Sequence, residues 1–250
     1  MKSSRLNERD KIMSLIVMMI VVALLAGILQ GVTGFGAGIV MMIFLPTQFA
    51  LIQSAGISTA ICIVLCALMA YRYRKVINFK EIIIPAILYL GVSSCAIIFS
   101  KMVDQDLMKK VFGVFLVILA IYYLFFNKQT ESKLNILMKL GCIVVSGLCD
   151  GLFGIGGPLM VLYFLNQTTS KEEYLGTIQT FFLINVTYNT IFRITNGIIT
   201  MDHLSIILIG MLGIIIGFVI ANKIVDRLDG EIIKKITYVV IGISGIINLI

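Results

Sequence analysis

The sequence predicts an all-α polytopic membrane protein of about eight transmembrane helices, in two homologous four-helix halves with glycine-rich helix breaks. Three observations carry that expectation. The 250 residues are 59% hydrophobic and only 13% charged, with a mean hydropathy of +1.05, against about 25% charged residues in soluble domains. Such a chain has too little polar surface to cover a water-soluble fold of this size. Apolar runs long enough to cross a bilayer recur between short charged connections. Finally, Gly27-Ile-Leu-Gln-Gly-Val-Thr-Gly-Phe-Gly-Ala-Gly38 returns 120 residues later as Gly147-Leu-Cys-Asp-Gly-Leu-Phe-Gly-Ile-Gly-Gly-Pro158, so that Gly27, Gly31, Gly34 and Gly36 align with Gly147, Gly151, Gly154 and Gly156.

Taken in order, the chain opens with a basic cluster of Lys2, Arg5, Arg9 and Lys11 before the first apolar run. A signal peptide shares that opening, but the run continues past Gly27 with no small-x-small cleavage site in polar surroundings, so it is expected to stay as the first helix. Spans are predicted at Ile12 to Gln30, Ile52 to Ala70, Ile82 to Phe99 and Leu107 to Phe126, then at Ile136 to Cys149, Leu175 to Phe192, Leu204 to Ala221 and Ile232 to Leu249. Two shorter pieces, Ala37 to Leu45 and Leu159 to Leu165, follow the glycine runs. At 1.5 Å per residue they cannot cross a ~30 Å hydrocarbon layer, and they are expected as half-helices or re-entrant segments.

The duplication reaches beyond the glycines. Met102-Val-Asp104 is echoed by Ile224-Val-Asp226, and Lys109-Lys110 by Lys234-Lys235. The polar stretch Asn127 to Asn135 reads as the connection between halves 12–126 and 136–250, and the whole chain, 1–250, as a single transmembrane transporter domain. With eight crossings, 12 Lys and Arg residues fall on the side of the termini and 8 on the other, a mild preference for cytoplasmic termini. The formal charge of +7 is spread over short connections. That distribution suits membrane lipid headgroups and offers no nucleic-acid surface.

The glycine runs carry the first chemistry. Gly34-Phe-Gly36 and Gly154-Ile-Gly156-Gly157 are predicted to break helices within 31–37 and 151–158, because glycine enters left-handed backbone conformations without steric cost. Pro158 suits the first turn of a restarted helix, whose N-terminus favours an anion. The alternative for Gly27 and Gly31 is close helix packing through a GxxxG pair. Asp150, and Gln30 at its position in the first copy, fit either of two roles: coupling to a proton or another ion, or capping loose amides at the breaks. Asn185 and Asn189 share a helical face. Gln179 and Thr59, matched by the 120-residue offset, complete a polar lining, with Ser58 beside Thr59. Arg72 and Arg193 are placed at the mouths of their spans, where snorkelling competes with attraction of substrate.

Other readings are excluded or kept apart. Cys62, Cys66, Cys95, Cys142 and Cys149 lie in apolar runs without a CxxC pair and read as buried small hydrophobes. His203 stands alone, so no metal site is expected, and the glycines lack the lysine of a nucleotide loop, so no cofactor and no enzyme activity are expected. A duplicated helix break inside membrane spans is the arrangement of secondary transporters, and the leading function is a permease for a small anionic solute. A non-enzymatic membrane scaffold or accessory subunit is the alternative. The oligomeric state is not written in the sequence.

The runs Gly-Val-Thr-Gly-Phe-Gly-Ala-Gly at 31–38 and Gly-Leu-Phe-Gly-Ile-Gly-Gly-Pro at 151–158, with the four-plus-four layout, resemble the TauE/SafE sulfite exporter family of membrane transporters. The resemblance implies a multi-pass permease of the cell (plasma) membrane that moves sulfur-containing oxyanions, sulfonates or organic acids without ATP. The family's motif glycines fall on Gly31, Gly34, Gly36, Gly151, Gly154, Gly156 and Gly157, and its proline on Pro158. The first copy departs from the second by holding Gly38 where the second has Pro158.

Overall fold

The computed structural model describes residues 2–121 and 134–224. Helices and turns account for the described residues, with no strand among them. The first helix, α1 (Lys2–Thr33), runs unbroken through its apolar part Met13–Thr33. It stops where Gly34 adopts φ 83° and Gly36 φ 104°, conformations strained for any residue with a Cβ. Chain direction recovers in α2 (Ala37–Phe44), which runs into a 3₁₀ turn, Leu45–Thr47, containing Pro46. Next come α3 (Leu51–Arg72), α4 (Lys80–Ser100) and α5 (Gln105–Ile121). The Asp104 carboxylate starts α5 by accepting from the amides of Asp106 and Leu107 at 3.0 and 3.1 Å.

A second series of helices follows. Asn135 caps α6 (Ile136–Phe153) by accepting from the Met138 amide, and Gly154 ends it at φ 66°. Helix α7 (Gly157–Leu165) restarts with Pro158 in its first turn. Ser170 caps α8 (Lys171–Thr195), and a capping box between Thr200 and His203 leads into α9 (Leu204–Ile224). Every expected span up to Leu204–Ala221 falls on a helix; the span at Ile232 to Leu249, the end of the one at Leu107 to Phe126 and most of the connecting loop lie outside the described residues.

The described residues account for only part of the eight expected spans. Five described helices are long and apolar enough to cross a membrane: Met13–Thr33, Leu51–Arg72, Lys80–Ser100, Ile136–Phe153 and Met201–Lys223. The described part of α5 has 17 residues. Helix α8 has the length, at 25 residues, but Gln179, Asn185, Asn189 and Arg193 dilute its apolar character, and all four are buried inside the protein. The breaks are also tighter than expected. Unwinding is confined to residues 34–36 and 154–156, while Gly31 and Gly151 remain helical.

Packing explains those two glycines. Helix α1 lies along α9, α4 along α6, and α3 along α8. A Cβ on Gly31 would meet the Ala221 side chain at 2.7 Å, and one on Gly27 the backbone of α9 at Ile214, Gly217 and Phe218. On the other side, Gly147 and Gly151 press against α4 at Tyr89, Val92, Ser93 and Ala96. These are close backbone approaches of the kind small residues permit between membrane helices. Helix α3 is the central element: 67% of its span window is buried, against 39–44% for the other candidate spans. The outer faces carry Ile83, Ile84, Ile87, Leu208, Leu212 and Ile216, an apolar surface that suits acyl chains.

Candidate functional site

The two breaks lie against each other. A Cβ on Gly38, in the first turn of α2, would stand 2.8 Å from the Gly154 carbonyl oxygen. Gly34 packs on Tyr174 and Leu175 at the start of α8, and Gly154 packs on Ala55 near the start of α3. Each break therefore rests on the long helix that follows the other break.

Between them is a cavity of about 60 Å³, room for a few waters or one small ion. Its wall takes Gly36, Gly38 and Ile39 from the first break and Gly154, Ile155, Gly156 and Gly157 from the second. Ser58, Thr59, Cys62 and Cys66 come from α3, Tyr89 from α4, and Phe182, Asn185 and Val186 from α8. Gln30 and Asp150 complete it. Both restarting helices thus point their first turns, with amides that no helical carbonyl can reach, at one small space.

Side chains hold the breaks in different ways. The Gln30 Oε1 accepts from the Ala37 amide at 3.1 Å, capping α2. Its Nε2 donates to Gln179 Oε1 at 3.1 Å, and Gln179 Nε2 in turn donates to the Gly34 carbonyl. At the second break Asn189 Nδ2 donates to Asp150 Oδ2 at 2.5 Å, and Ser93 Oγ donates to Asn189 Oδ1 at 3.0 Å. The Tyr89 hydroxyl hydrogen-bonds the same carboxylate. It also lies against the Cα of Gly156, where any side chain would collide with it. Because Gly156 has φ −105°, this contact, and no unusual backbone angle, is what requires glycine there.

Arg193 departs from its expected place at a span mouth. It is fully buried, and its Nη2 donates to the carbonyls of Asp150 and Gly151 at 3.1 and 2.8 Å. Those carbonyls are in the last turn of α6, where that of Asp150 also accepts from the Gly154 amide at 2.8 Å and the break begins before the helix can go on. Arg72, by contrast, is exposed and donates to Asn222.

Of the residues singled out in the sequence, Gly36, Gly154, Gly156, Gly157, Thr59, Asn185, Gln30 and Asp150 line the cavity. Gly34, Gln179 and Asn189 stand behind its wall as partners of the lining residues. Pro158 borders a separate apolar pocket of about 250 Å³ with Phe115, Ile118 and Val145. Two atoms of the lining have no hydrogen-bond partner among the described residues, Ser58 Oγ and Asn185 Oδ1. Buried polar atoms rarely go unpaired, so they mark where a ligand or water belongs. Tyr89 and the thiols of Cys62 and Cys66 were not legible as site residues: each sits in an apolar helix with nothing local to set it apart, and only packing brings it to the breaks.

Two apposed helix breaks around a polar cavity in a helical membrane protein are similar to the broken helices at which secondary transporters bind solute. The chain belongs to the sulfite exporter TauE/SafE family, whose model matches residues 19–247. It is also 27% identical over 164 residues to a probable membrane transporter protein of Methanocaldococcus jannaschii. That match covers 60% of this chain and 61% of the relative, so it reaches only about three-fifths of the curated protein's length. No solved structure matches the chain. The family match and the five apolar helices make the chain a multi-pass membrane protein.

Proposed function

We propose that the protein is a secondary transporter of small anions, sulfur-containing oxyanions, sulfonates or organic acids, and that the cavity between the breaks is its binding site in the cell membrane. The observation that carries this reading is the convergence of the first turns of α2 and α7 on one cavity. Each helix N-terminus carries about half a positive charge, and beyond the Ala37 amide that Gln30 caps and Pro158, which has no N–H, its first-turn amides lack helical acceptors. Ser58 adds an unpaired hydroxyl. Gly36, Gly154, Gly156 and Gly157 bring backbone to the solute, Thr59 and Asn185 border it, and Gln30, Gln179 and Asn189 keep the breaks in shape.

The pattern of helix packing supports two homologous halves. Under the 120-residue offset α1 corresponds to α6, α3 to α8 and α4 to α9, so the α1–α9 seam exchanges with the α6–α4 seam and the α3–α8 seam maps onto itself. A site on such an axis can be uncovered to either face by rocking one half against the other.

Uptake into proteoliposomes tests the function. Purified protein is expected to give saturable uptake of at least one of radiolabelled sulfite, methanesulfonate and acetate, with competition among the anions that bind. Transport confined to cations would overturn the reading, and no transport of anion, cation or neutral solute would favour a scaffold.

A further inference from the structure

We propose that Asp150 is a proton-coupling site, so that the anion and a proton on this carboxyl group bind together and cross together; this deepens, and rests on, the anion-transport reading. The argument begins with a difference between the two breaks. Gln30 and Asp150 occupy equivalent positions, and Gln30 caps the restarting helix by accepting from the Ala37 amide. Among the described residues no main-chain amide donates to the Asp150 carboxylate. Its partners are the Asn189 amide group and the Tyr89 hydroxyl, and Ser93 orients Asn189 so that its NH₂ faces the carboxylate. A cap would have been served by the amide that the first half uses. The second half instead places a titratable group, buried to 5% exposure, in the wall of the same cavity.

Charge then links the two occupants. An ionised Asp150 and an anion in a cavity of about 60 Å³ repel each other at close range, in surroundings that screen poorly. Protonation of Asp150 removes that repulsion and leaves the hydrogen bond from Asn189 intact, because a carboxylic acid keeps an acceptor oxygen. By reciprocity, a bound anion raises the proton affinity of Asp150 by the factor by which the proton raises the affinity for the anion. The titratable groups within electrostatic range of Asp150 are Tyr89 from α4, Cys62 and Cys66 from α3, Cys149 from α6 and Arg193 from α8. Arg193 is the one cation of the set, and it donates to the Asp150 and Gly151 carbonyls. It thereby holds the break in either protonation state of the acid. No covalent step is involved; one proton is bound on one side and released on the other.

Proteoliposomes loaded with a pH-sensitive dye, with the membrane potential clamped, test the coupling. Methanesulfonate is the main probe because it stays ionised across the pH range, with sulfite and acetate beside it. Inward anion gradients are expected to acidify the lumen, and KM is expected to rise with pH, by up to about tenfold per unit once Asp150 is mostly ionised. In Asp150→Asn the acidification disappears and any remaining flux is flat in pH. Wild-type uptake without proton movement and with a pH-independent KM overturns the proposal while leaving anion transport standing, and so does Asp150→Asn that still acidifies the lumen. If none of the anions moves, the transport reading fails and the coupling fails with it. Should Asp150→Asn not fold, the wild-type measurements alone decide.

Discussion

Whether the two broken helices can meet is decided at Gly38, where a single methyl group would come within 2.8 Å of the Gly154 carbonyl. Backbone on both sides of the contact leaves neither partner a rotamer with which to yield. Gly38→Ala is therefore expected to force the breaks apart and lower the initial transport rate by about tenfold or more, with the protein still inserted and monodisperse. Gly91 and Gly141, where a Cβ meets nothing within 4 Å, are the controls. Alanine there should be silent in transport and neutral or slightly stabilising, by up to about 1 kcal/mol, in thermal unfolding. The glycines themselves were legible in the sequence, because duplication marked them. Their division of labour was not: Gly27, Gly31, Gly147 and Gly151 serve helix seams, Gly34, Gly36 and Gly154 serve positive backbone angles, and Gly38 and Gly156 serve contacts with residues far along the chain. Gln30 gives a second test at this scale. Gln30→Ala strips the cap from Ala37 and a partner from Gln179, so a loss of about 1–3 kcal/mol in unfolding free energy is expected, measured in detergent by denaturant titration.

Helix α8 joins the two breaks mechanically. Gln179 near its start holds the first through Gly34, while Asn189 and Arg193 near its end hold the second through Asp150 and Gly151. Its polar residues make it too weakly apolar to rank beside the other spans, and this is why hydropathy alone undercounts it. Asn185 and Asn189 share a face four residues apart, as the sequence predicts, yet their surroundings separate them. Asn185 donates only to its own helix, at Phe181 O, and leaves Oδ1 without a partner at the cavity. Asn189 is tied to both Asp150 and Ser93. Asn185→Ala should therefore raise KM several-fold with little change in unfolding, since one such amide contributes about 1 kcal/mol. Asn189→Ala should lower stability by about 1–3 kcal/mol, because it takes a hydrogen-bond donor from a buried carboxyl group and a partner from Ser93. Uptake kinetics and unfolding of the two purified variants, measured together, separate the roles; identical behaviour of the pair would remove the distinction drawn here. The buried position of Arg193 was hidden from sequence for a related reason: a charge near the end of an apolar run reads as a snorkelling residue until the carbonyls it serves are known.

At the scale of the whole molecule, the helix that opens each series packs against the other series. Helix α1 lies along α9 and α6 along α4, with α3 and α8 crossing between them. Hydropathy and repeats made the membrane class, the breaks and the half-helices legible, because those are local properties of composition and backbone. They said nothing of this exchange, which depends on small-residue seams such as Gly27 against Gly217 and Gly151 against Ala96. Its consequence is that neither half can close its own breaks: Gly34 needs Tyr174 and Leu175, Gly154 needs Ala55, and the cavity takes residues from both. A chain cut within the polar connection at 127–135 should then need both of its pieces in one membrane. Fragments 1–130 and 131–250 expressed separately are expected to insert but to be degraded or aggregate on extraction, since each exposes an unpartnered seam of α1 or α6. Co-expressed, they should co-purify through a tag on either one and recover anion uptake in proteoliposomes, because membrane association of helices needs no covalent link once the seams match. Recovery of a monodisperse fragment from either half alone, with its breaks formed and able to bind anion, would show that the halves are self-sufficient and that the crossed packing is dispensable for the site.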